Sequence, residues 1–314
     1  MMDQKCINTI LNIVMKSNMA ESQIHKVFTR PVEYVTDKDG KLEPRTTFLV
    51  SDTLGTRSIP LTEAWVAGNL LLFSVFDGAI ENNYGLKEGD SFKKHYDGLP
   101  ESNDFDIMTK NCYRVFKIIR NGIQHNLSNV KHSDADGSYY INYKHNGTLF
   151  SLQITGQGME WLYTYVMNYA AGNIEGISKK YYTKGHYDGI MRSIYTKIIV
   201  EISNLSDEIG TSLLPVTLGL KLRNDRRCMV INPLLVKDEC DKVTFFLYEG
   251  NETDDESDPN YQISSDYIHG DYLLPQELGN IIRYKSECLQ ERLEKSTIAF
   301  KKSDITDEWK FFCK

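Results

Sequence analysis

The sequence predicts a mainly α fold with α+β flanks, because long apolar segments with helical periodicity fill the middle of the chain. One is LTEAWVAGNLLLFSVFDGAIEN, residues 61–82, and a second begins near Phe105 and ends at the motif RNGIQH. A hairpin follows, with Asn146-Gly147 at its turn. Two further helical segments come after it, GMEWLYTYVMNYAA and HYDGIMRSIYTKIIVEISNL. We therefore expect four central helices with a strand excursion between the second and the third.

The flanks are expected to mix helix and strand. Residues 1–56 contain a short helix, Cys6 to Met15, and two strand-like runs, PVEYV and RTTFLV. Residues 210–314 indicate a small α+β module with strands LPVTLGLKL, CMVINPLL and KVTFFLYE, then a long helix from Pro275 to about Ser296. A turn in this module carries three arginines that either contact a phosphate backbone or are simply exposed: Arg223, Arg226 and Arg227. The predicted domains are residues 1–56, 57–209 and 210–314.

The second predicted helix has one apolar side and one polar, basic side. At 100° per residue, the apolar side consists of Met108, Cys112, Val115, Phe116, Ile119 and Ile123. The opposite side consists of Lys110, Arg114, Lys117, Asn121 and His125. This pattern predicts a basic strip leading to His125. The alternative is a solvated face, on which the helix dipole favours His125 and Arg120 caps the last carbonyl groups.

Arg120 and His125 form a pair suited to chemistry on phosphate. They lie about one and a half turns apart at the end of the predicted helix. Arginine presents a fixed fork of donors to phosphate oxygens, and histidine exchanges protons near neutral pH. Gly122, between them, costs about 1 kcal/mol relative to Ala inside a helix, which predicts close approach of another chain or a ligand at that position.

Arg-Asn-x-x-x-His after an apolar, basic helix, here VFKIIRNGIQHN, resembles the signature of the HEPN superfamily. Many members of that superfamily are RNA-cutting enzymes of toxin and antiviral systems. The resemblance covers about residues 57–209 and neither flank. It implies a four-helix bundle with a β-hairpin insertion. It also implies a metal-independent endoribonuclease, a toxin or an antiphage, abortive-infection effector, whose partners are RNA and an antitoxin or regulatory protein.

The implied reaction begins with attack of a ribose 2′-hydroxyl on the adjacent phosphorus. His125 removes or returns the proton, Arg120 stabilises charge on the phosphoryl oxygens, and Asn121 orients the phosphate or the imidazole. One histidine does not easily serve both ends of an in-line displacement, so we expect a homodimer with two motifs in one cleft. Asp77 is a candidate for orienting Arg120, with simple solvent exposure as the alternative. The candidate RNA-binding residues are Lys110, Arg114 and Lys117.

Composition restricts how the chain contacts RNA. Its 314 residues are 41% hydrophobic and 25% charged, and the formal net charge is −7 with a sequence pI near 5.6. These values argue against broad electrostatic binding of nucleic acid, so RNA contact must be local. Six cysteines lie without CxxC spacing, which indicates neither a zinc knuckle nor a disulfide framework. With no apolar run of membrane length and no signal-peptide pattern, we expect a cytoplasmic protein.

The sequence contains none of the common motifs for other kinds of catalysis or for cofactor binding. A Walker loop, a dinucleotide-binding glycine fingerprint, HExxH and a nucleophile elbow are all missing, so no cofactor or metal is expected. His132 and His145 flank the hairpin without metal-ligand spacing, and receive no role. The rival hypothesis is a non-catalytic HEPN-like module for dimerisation or partner binding. A small-ligand-sensing regulator has no positive feature in its favour.

Overall fold

The computed structural model describes residues 2–16, 29–36, 42–46, 63–135, 137–172, 183–223, 227–248 and 264–310. The chain divides into two compact units. The first unit comprises Met1–His25, Leu54–Asn173 and Met191–Gly219. The second unit comprises Lys26–Thr53, Ile174–Ile190 and Leu220–Lys314.

Within the described ranges, the chain forms seven α-helices and thirteen β-strands. The helices are α1 (Gln4–Lys16), α2 (Glu63–Tyr84), α3 (Phe92–Gly98), α4 (Asp104–His125), α5 (Gly156–Ala171), α6 (Lys184–Val200) and α7 (Leu289–Lys295). The strands are β1 (Thr29–Thr36), β2 (Leu42–Thr46), β3 (Val130–His132), β4 (Ser138–His145), β5 (Thr148–Thr155), β6 (Ile202–Ser206), β7 (Arg227–Ile231), β8 (Leu235–Asp238), β9 (Lys242–Phe246), β10 (Ser264–His269), β11 (Tyr272–Pro275), β12 (Asn280–Ile282) and β13 (Thr297–Lys301).

The first unit combines helices with a four-stranded antiparallel sheet in the order β3-β4-β5-β6. Helices α2, α4 and α5 pack on one another, and α1 packs against α2 and α5. Strands β4 and β5 pack against α4, so the hairpin belongs to the core of this unit. The core itself is rich in fully buried aromatic side chains: Phe76, Tyr113, Phe116, Tyr163 and Tyr165.

Local sequence explains where α4 begins and how its hairpin turns. The Asn103 side chain accepts a hydrogen bond from the Asp106 backbone N–H at 3.0 Å, which is a typical N-cap. Acidic Asp104 and Asp106 in the first turn favour the positive end of the helix dipole. At the hairpin turn, Asn146 and Gly147 have φ values of 50° and 83°, in the left-handed region that Asn-Gly turns require.

The second unit contains two sheets. One has the order β11-β10-β7-β1-β2, with β1, β7 and β10 parallel, and the other has the order β12-β13-β9-β8. Arg227, which the sequence placed on a turn, is buried at the start of β7 and pairs with Asp266 and Glu277. Burial raises the pKa of Asp266, but Arg227 outweighs it and lowers the pKa to about 2. Arg227 is therefore a structural cation; Arg226 lies outside the described residues.

The predicted fold class is wrong: the class is mixed α and β, and the described residues do not form a four-helix bundle. The four central segments are helical as predicted, and α1, β1 and the hairpin are confirmed. The predicted strand RTTFLV shares Arg45 and Thr46 with β2, and its other four residues lie outside the described ranges. However, the hairpin is extended to four strands by β3 and β6, and it packs on α4 rather than standing apart as an insertion. Segment 186–205 covers most of α6 and then most of β6, where a single helix was expected.

The C-terminal prediction also needs correction. The long helix expected from Pro275 to Ser296 is a strand, β12, followed by the seven-residue helix α7. The run LPVTLGLKL is irregular, whereas CMVINPLL and KVTFFLYE contain β7 and β9 as expected. None of the described helices combines the length and the apolar character needed to cross a membrane.

Candidate active site on helix α4 and the β4–β5 hairpin

The candidate site lies where the end of α4 meets strand β4 in the first unit. Gly122 makes this approach possible, since a Cβ atom added there would lie 2.6 Å from Ile141 Cγ2 on β4. Such a distance is far inside van der Waals contact, so any side chain at position 122 must displace the strand or the Ile141 side chain. The close approach that this glycine predicted is thus made by the same chain.

His125 and His145 face each other across this junction. Their ring centroids lie 5.7 Å apart and their planes differ by 16°, and both side chains are exposed. Among the described residues, neither ring accepts or donates a hydrogen bond. The sequence assigned no role to His145, because it lies twenty positions after His125 and only the packing of β4 against α4 brings the two together. Its one sequence signal was its position directly before the Asn146-Gly147 turn.

Arg120 is the cation nearest to this pair along the helix, and it is half-buried. Its Nη1 donates a hydrogen bond to Asn121 Oδ1 at 2.8 Å, and its guanidinium carbon lies 5.4 Å from the centroid of the Phe73 ring. Within the described part of the chain, no carboxylate pairs with Arg120. Asn121 therefore orients the guanidinium of Arg120. Most of the N–H donors of that guanidinium stay available to a ligand.

Tyr143 packs at the same junction, beside Gly122 and His125. Its side chain is buried, its ring stacks on Phe150, and its ring centroid lies 6.4 Å from that of His125. The buried hydroxyl has no hydrogen-bond partner of good geometry among the described residues, although the Asn121 side chain faces it. Burial raises the pKa of Tyr143, against the opposing influence of Asn121 and of the Arg120 charge. Tyr143 is thus a buried, protonated phenol whose ring packs beside Gly122 at this junction.

The other three cations of α4 are buried and neutralised. Arg114 has no exposed surface and binds both carboxylate oxygens of Asp207, at 2.9 and 2.6 Å. Lys110 and Lys117 are each 5% exposed. Lys110 Nζ donates to Glu101 at 2.8 Å and to the Leu99 carbonyl at 3.1 Å; Lys117 Nζ donates to Glu208 at 2.6 Å and lies over the rings of Phe92 and Phe150.

An exposed basic strip is therefore absent from the described structure, and these three residues are not available to RNA. Helical periodicity separates a polar face from an apolar one, but it does not show whether the polar face meets water or acidic side chains. Here the segment after β6 supplies Asp207 and Glu208 to that face. Of the four basic residues predicted on this helix, Arg120 is the one without a carboxylate partner among the described residues.

Asp77 does not contact Arg120. Its Oδ1 accepts a hydrogen bond from the Tyr113 hydroxyl and lies 3.1 Å from His95 Nδ1. His95 Nε2 lies 3.0 Å from the Lys87 carbonyl, which can only accept, so both ring nitrogens carry protons when Asp77 is ionised. Burial lowers the pKa of His95, but the hydrogen bonds to the Lys87 carbonyl and to Asp77 outweigh it and raise the pKa.

Asp77 and His95 also belong to a set of groups with metal-ligand chemistry. Together with Glu81, each offers a ligand atom, and these atoms lie within 4.8 Å of one another. Burial and the Asp77 charge raise the pKa of Glu81. Both His95 nitrogens already make hydrogen bonds, so a cation here must displace a proton from His95. Asp77 and Glu81 lie one turn apart on α2, a spacing that the sequence shows, whereas His95 comes from α3 and joins them through the fold.

Comparison of the chain with protein-family models, with curated proteins and with solved structures found no match in any of the three. The resemblance to the HEPN superfamily thus depends on the Arg-Asn-x-x-x-His motif and stays a prediction.

Proposed function

We propose that the protein is a metal-independent endoribonuclease that cuts RNA at the junction of α4 and β4. The observation that carries this proposal is the contrast between Arg120 and the other cations of its helix. Lys110, Arg114 and Lys117 are each neutralised by a carboxylate, whereas Arg120 has no carboxylate partner in the described part of the chain and lies five residues before His125 on the same helix. A half-buried guanidinium without a counter-ion can bind an anion, and an imidazole at the same helix end can transfer protons.

Within this proposal, the phosphodiester binds with its non-bridging oxygens toward the guanidinium of Arg120. Asn121 holds the guanidinium through the hydrogen bond at 2.8 Å. His125, at the exposed end of the helix, exchanges the proton of the attacking 2′-hydroxyl or of the leaving oxygen.

The biological setting in this proposal is a cytoplasmic toxin or antiphage effector that is restrained by an antitoxin or regulatory protein. The net charge of −7 supports a target that is bound at one site rather than along a basic surface. A homodimer remains part of the proposal as a prediction, but Gly122 no longer argues for it, because β4 of the same chain occupies the space beside that residue.

A second candidate function is binding of a protein partner without catalysis. Two leucines with large exposed surfaces follow the site residues in sequence: Leu127 is 53% exposed and comes two residues after His125, and Leu149 is 48% exposed and comes four residues after His145. Exposed apolar side chains of this kind favour a protein contact when they cluster. In this alternative, His125→Ala leaves every measured activity unchanged, while Leu127→Asp abolishes partner binding.

The deciding experiment incubates the purified protein with total RNA in EDTA, beside the His125→Ala and Arg120→Ala variants. We expect wild-type cleavage to persist in the chelator and to leave 2′,3′-cyclic phosphate ends, because the neighbouring 2′-hydroxyl is the nucleophile. Products with 3′-hydroxyl ends would contradict the proposal. Activity that is lost in EDTA and restored by a divalent metal would direct attention to Asp77, Glu81 and His95 instead.

A further inference from the structure

We propose that His145 is the second acid–base residue of this site, so that one protomer contains both imidazoles that RNA cleavage needs. The inference rests on the proposed ribonuclease function and deepens it, because it replaces the partner subunit's motif with a group of the same chain. Its basis is the facing arrangement of His125 and His145, with ring centroids 5.7 Å apart.

The reaction requires proton transfer at two oxygens on opposite sides of one phosphorus. A neutral imidazole takes the proton of the 2′-hydroxyl while O2′ forms a bond to phosphorus. The bond between phosphorus and O5′ then breaks, and an imidazolium gives its proton to O5′. The products are a 2′,3′-cyclic phosphate and a 5′-hydroxyl, and one proton has been taken up and one released. Two separate imidazoles perform these transfers in one step, whereas a single ring must do both.

The separation of the two rings fits that requirement. A general base and a general acid each need to come within roughly 2.6–3.2 Å of the oxygen they serve. Both oxygens are bonded to the same phosphorus, so the two rings must be close enough to contact a single phosphate group at the same time. His125 and His145 meet this condition with nearly parallel planes, both exposed to an incoming substrate. Neither ring makes a hydrogen bond to another of the described residues, so the nitrogens of both rings are available to a substrate.

The fold, and not a flexible loop, determines where His145 lies. It is the last residue of β4 and pairs with Thr148 across the hairpin. Tyr143, two residues earlier, projects to the same face of the strand. Its ring is buried on Phe150 and packs beside Gly122 of α4. The contact that the glycine permits therefore fixes both the helix end that carries His125 and the strand end that carries His145.

The test compares His125→Ala, His145→Ala and His132→Ala on two RNA substrates, each with a single cleavable linkage. One substrate is ordinary RNA, and the other has sulfur in place of the 5′ bridging oxygen, so that its leaving group needs no protonation. His132 is the matched control, an exposed histidine of the same sheet that pairs with Asp134. Thermal unfolding of each variant verifies that the fold is intact.

On ordinary RNA, we expect His125→Ala and His145→Ala each to lower the rate by about a hundredfold or more, and His132→Ala to leave it unchanged. On the sulfur substrate, one of the two impaired variants should regain nearly the wild-type rate and the other should not. The rescued variant identifies the general acid, and a merely structural role for His145 predicts no such split.

Three results would overturn the inference. A His145→Ala protein that cuts ordinary RNA as fast as His132→Ala shows that His145 is dispensable, while the proposed ribonuclease function survives. Rescue of both variants, or of neither, shows that the two histidines do not divide the two transfers. A wild-type protein that cuts neither substrate overturns this inference and the proposed function together.

Discussion

Replacing Arg114 with methionine should unfold the first unit more easily rather than weaken RNA binding directly. Arg114→Met leaves the fully buried Asp207 carboxylate without its counter-ion. Removing one partner of a buried ion pair costs about 3–5 kcal/mol. The backbone N–H groups of Ile209 and Gly210 still donate to Asp207, at 2.8 and 3.2 Å, which favours the lower end of that range. The carbonyls of Gly210 and Ser212 each lose a donor, which favours the upper end.

In a domain of this size each kcal/mol lowers Tm by about 2–4 °C, so the expected loss is about 6–20 °C. The assay is thermal unfolding followed by circular dichroism, with Lys131→Met as a control that removes an exposed cation of the same unit. Combining Arg114→Met with Asp207→Leu should recover part of the loss, since the unpaired charge is then gone. If Arg114→Met melts like Lys131→Met but loses RNA cleavage, Arg114 contacts RNA and its burial has no bearing on function.

Three further predictions concern the site and its supports. Arg120→Ala should lower the cleavage rate by about a hundredfold or more. Its Tm should change little, because among the described residues Arg120 pairs with no buried carboxylate that the substitution would leave unpaired. A loss of Tm like that of Arg114→Met would contradict this. Gly122→Ala gains about 1 kcal/mol of helix propensity but overpacks Ile141 at a cost of about 1–3 kcal/mol, so urea unfolding should show a net loss of stability, and a stabilised variant would refute the packing argument. Because the pKa of His95 is raised in the folded state, its contribution to stability is complete below the unfolded-state pKa and is lost as pH rises through the folded-state pKa. Between about pH 5 and pH 9, the Tm of wild type should therefore fall more steeply with pH than the Tm of His95→Gln. Parallel plots of Tm against pH would contradict this prediction.

The long central helices were predictable because their signals are local, whereas the short helices α3 and α7 and most strands were not. Helix α4 has a capping asparagine, two acids in its first turn and an uninterrupted apolar stripe, and each is readable within one window of sequence. Strand β6 follows directly after α6 and pairs with β5 about fifty residues earlier, so its assignment depends on a partner that no local pattern names. Strand β12 has three residues, too few for any alternation to be visible.

The site was predictable to the extent that it lies on one helix. Arg120, Asn121 and His125 share α4, and their spacing alone indicated phosphate chemistry. His145 is placed at the site because it ends strand β4, and Tyr143 because its ring is buried against Phe150. The spacing of the Arg-Asn-x-x-x-His motif predicts neither residue. The basic strip failed for the converse reason: its periodicity was real, but two of the three acids that neutralise it, Asp207 and Glu208, lie some ninety residues away along the chain.

Gly122 joins these two outcomes in a single physical argument. Glycine within a helix lowers the stability of that helix relative to alanine, so the presence of Gly122 predicted that another group comes close to the backbone there. We expected that neighbour to be another chain or a ligand. The 2.6 Å separation between the position that a Cβ atom would take at residue 122 and Ile141 Cγ2 shows that a strand of the same chain lies there instead. That arrangement matters for mechanism, because the strand admitted by Gly122 ends at His145. The residue that first suggested a dimer is thus the one that allows a single chain to bring a second imidazole to His125.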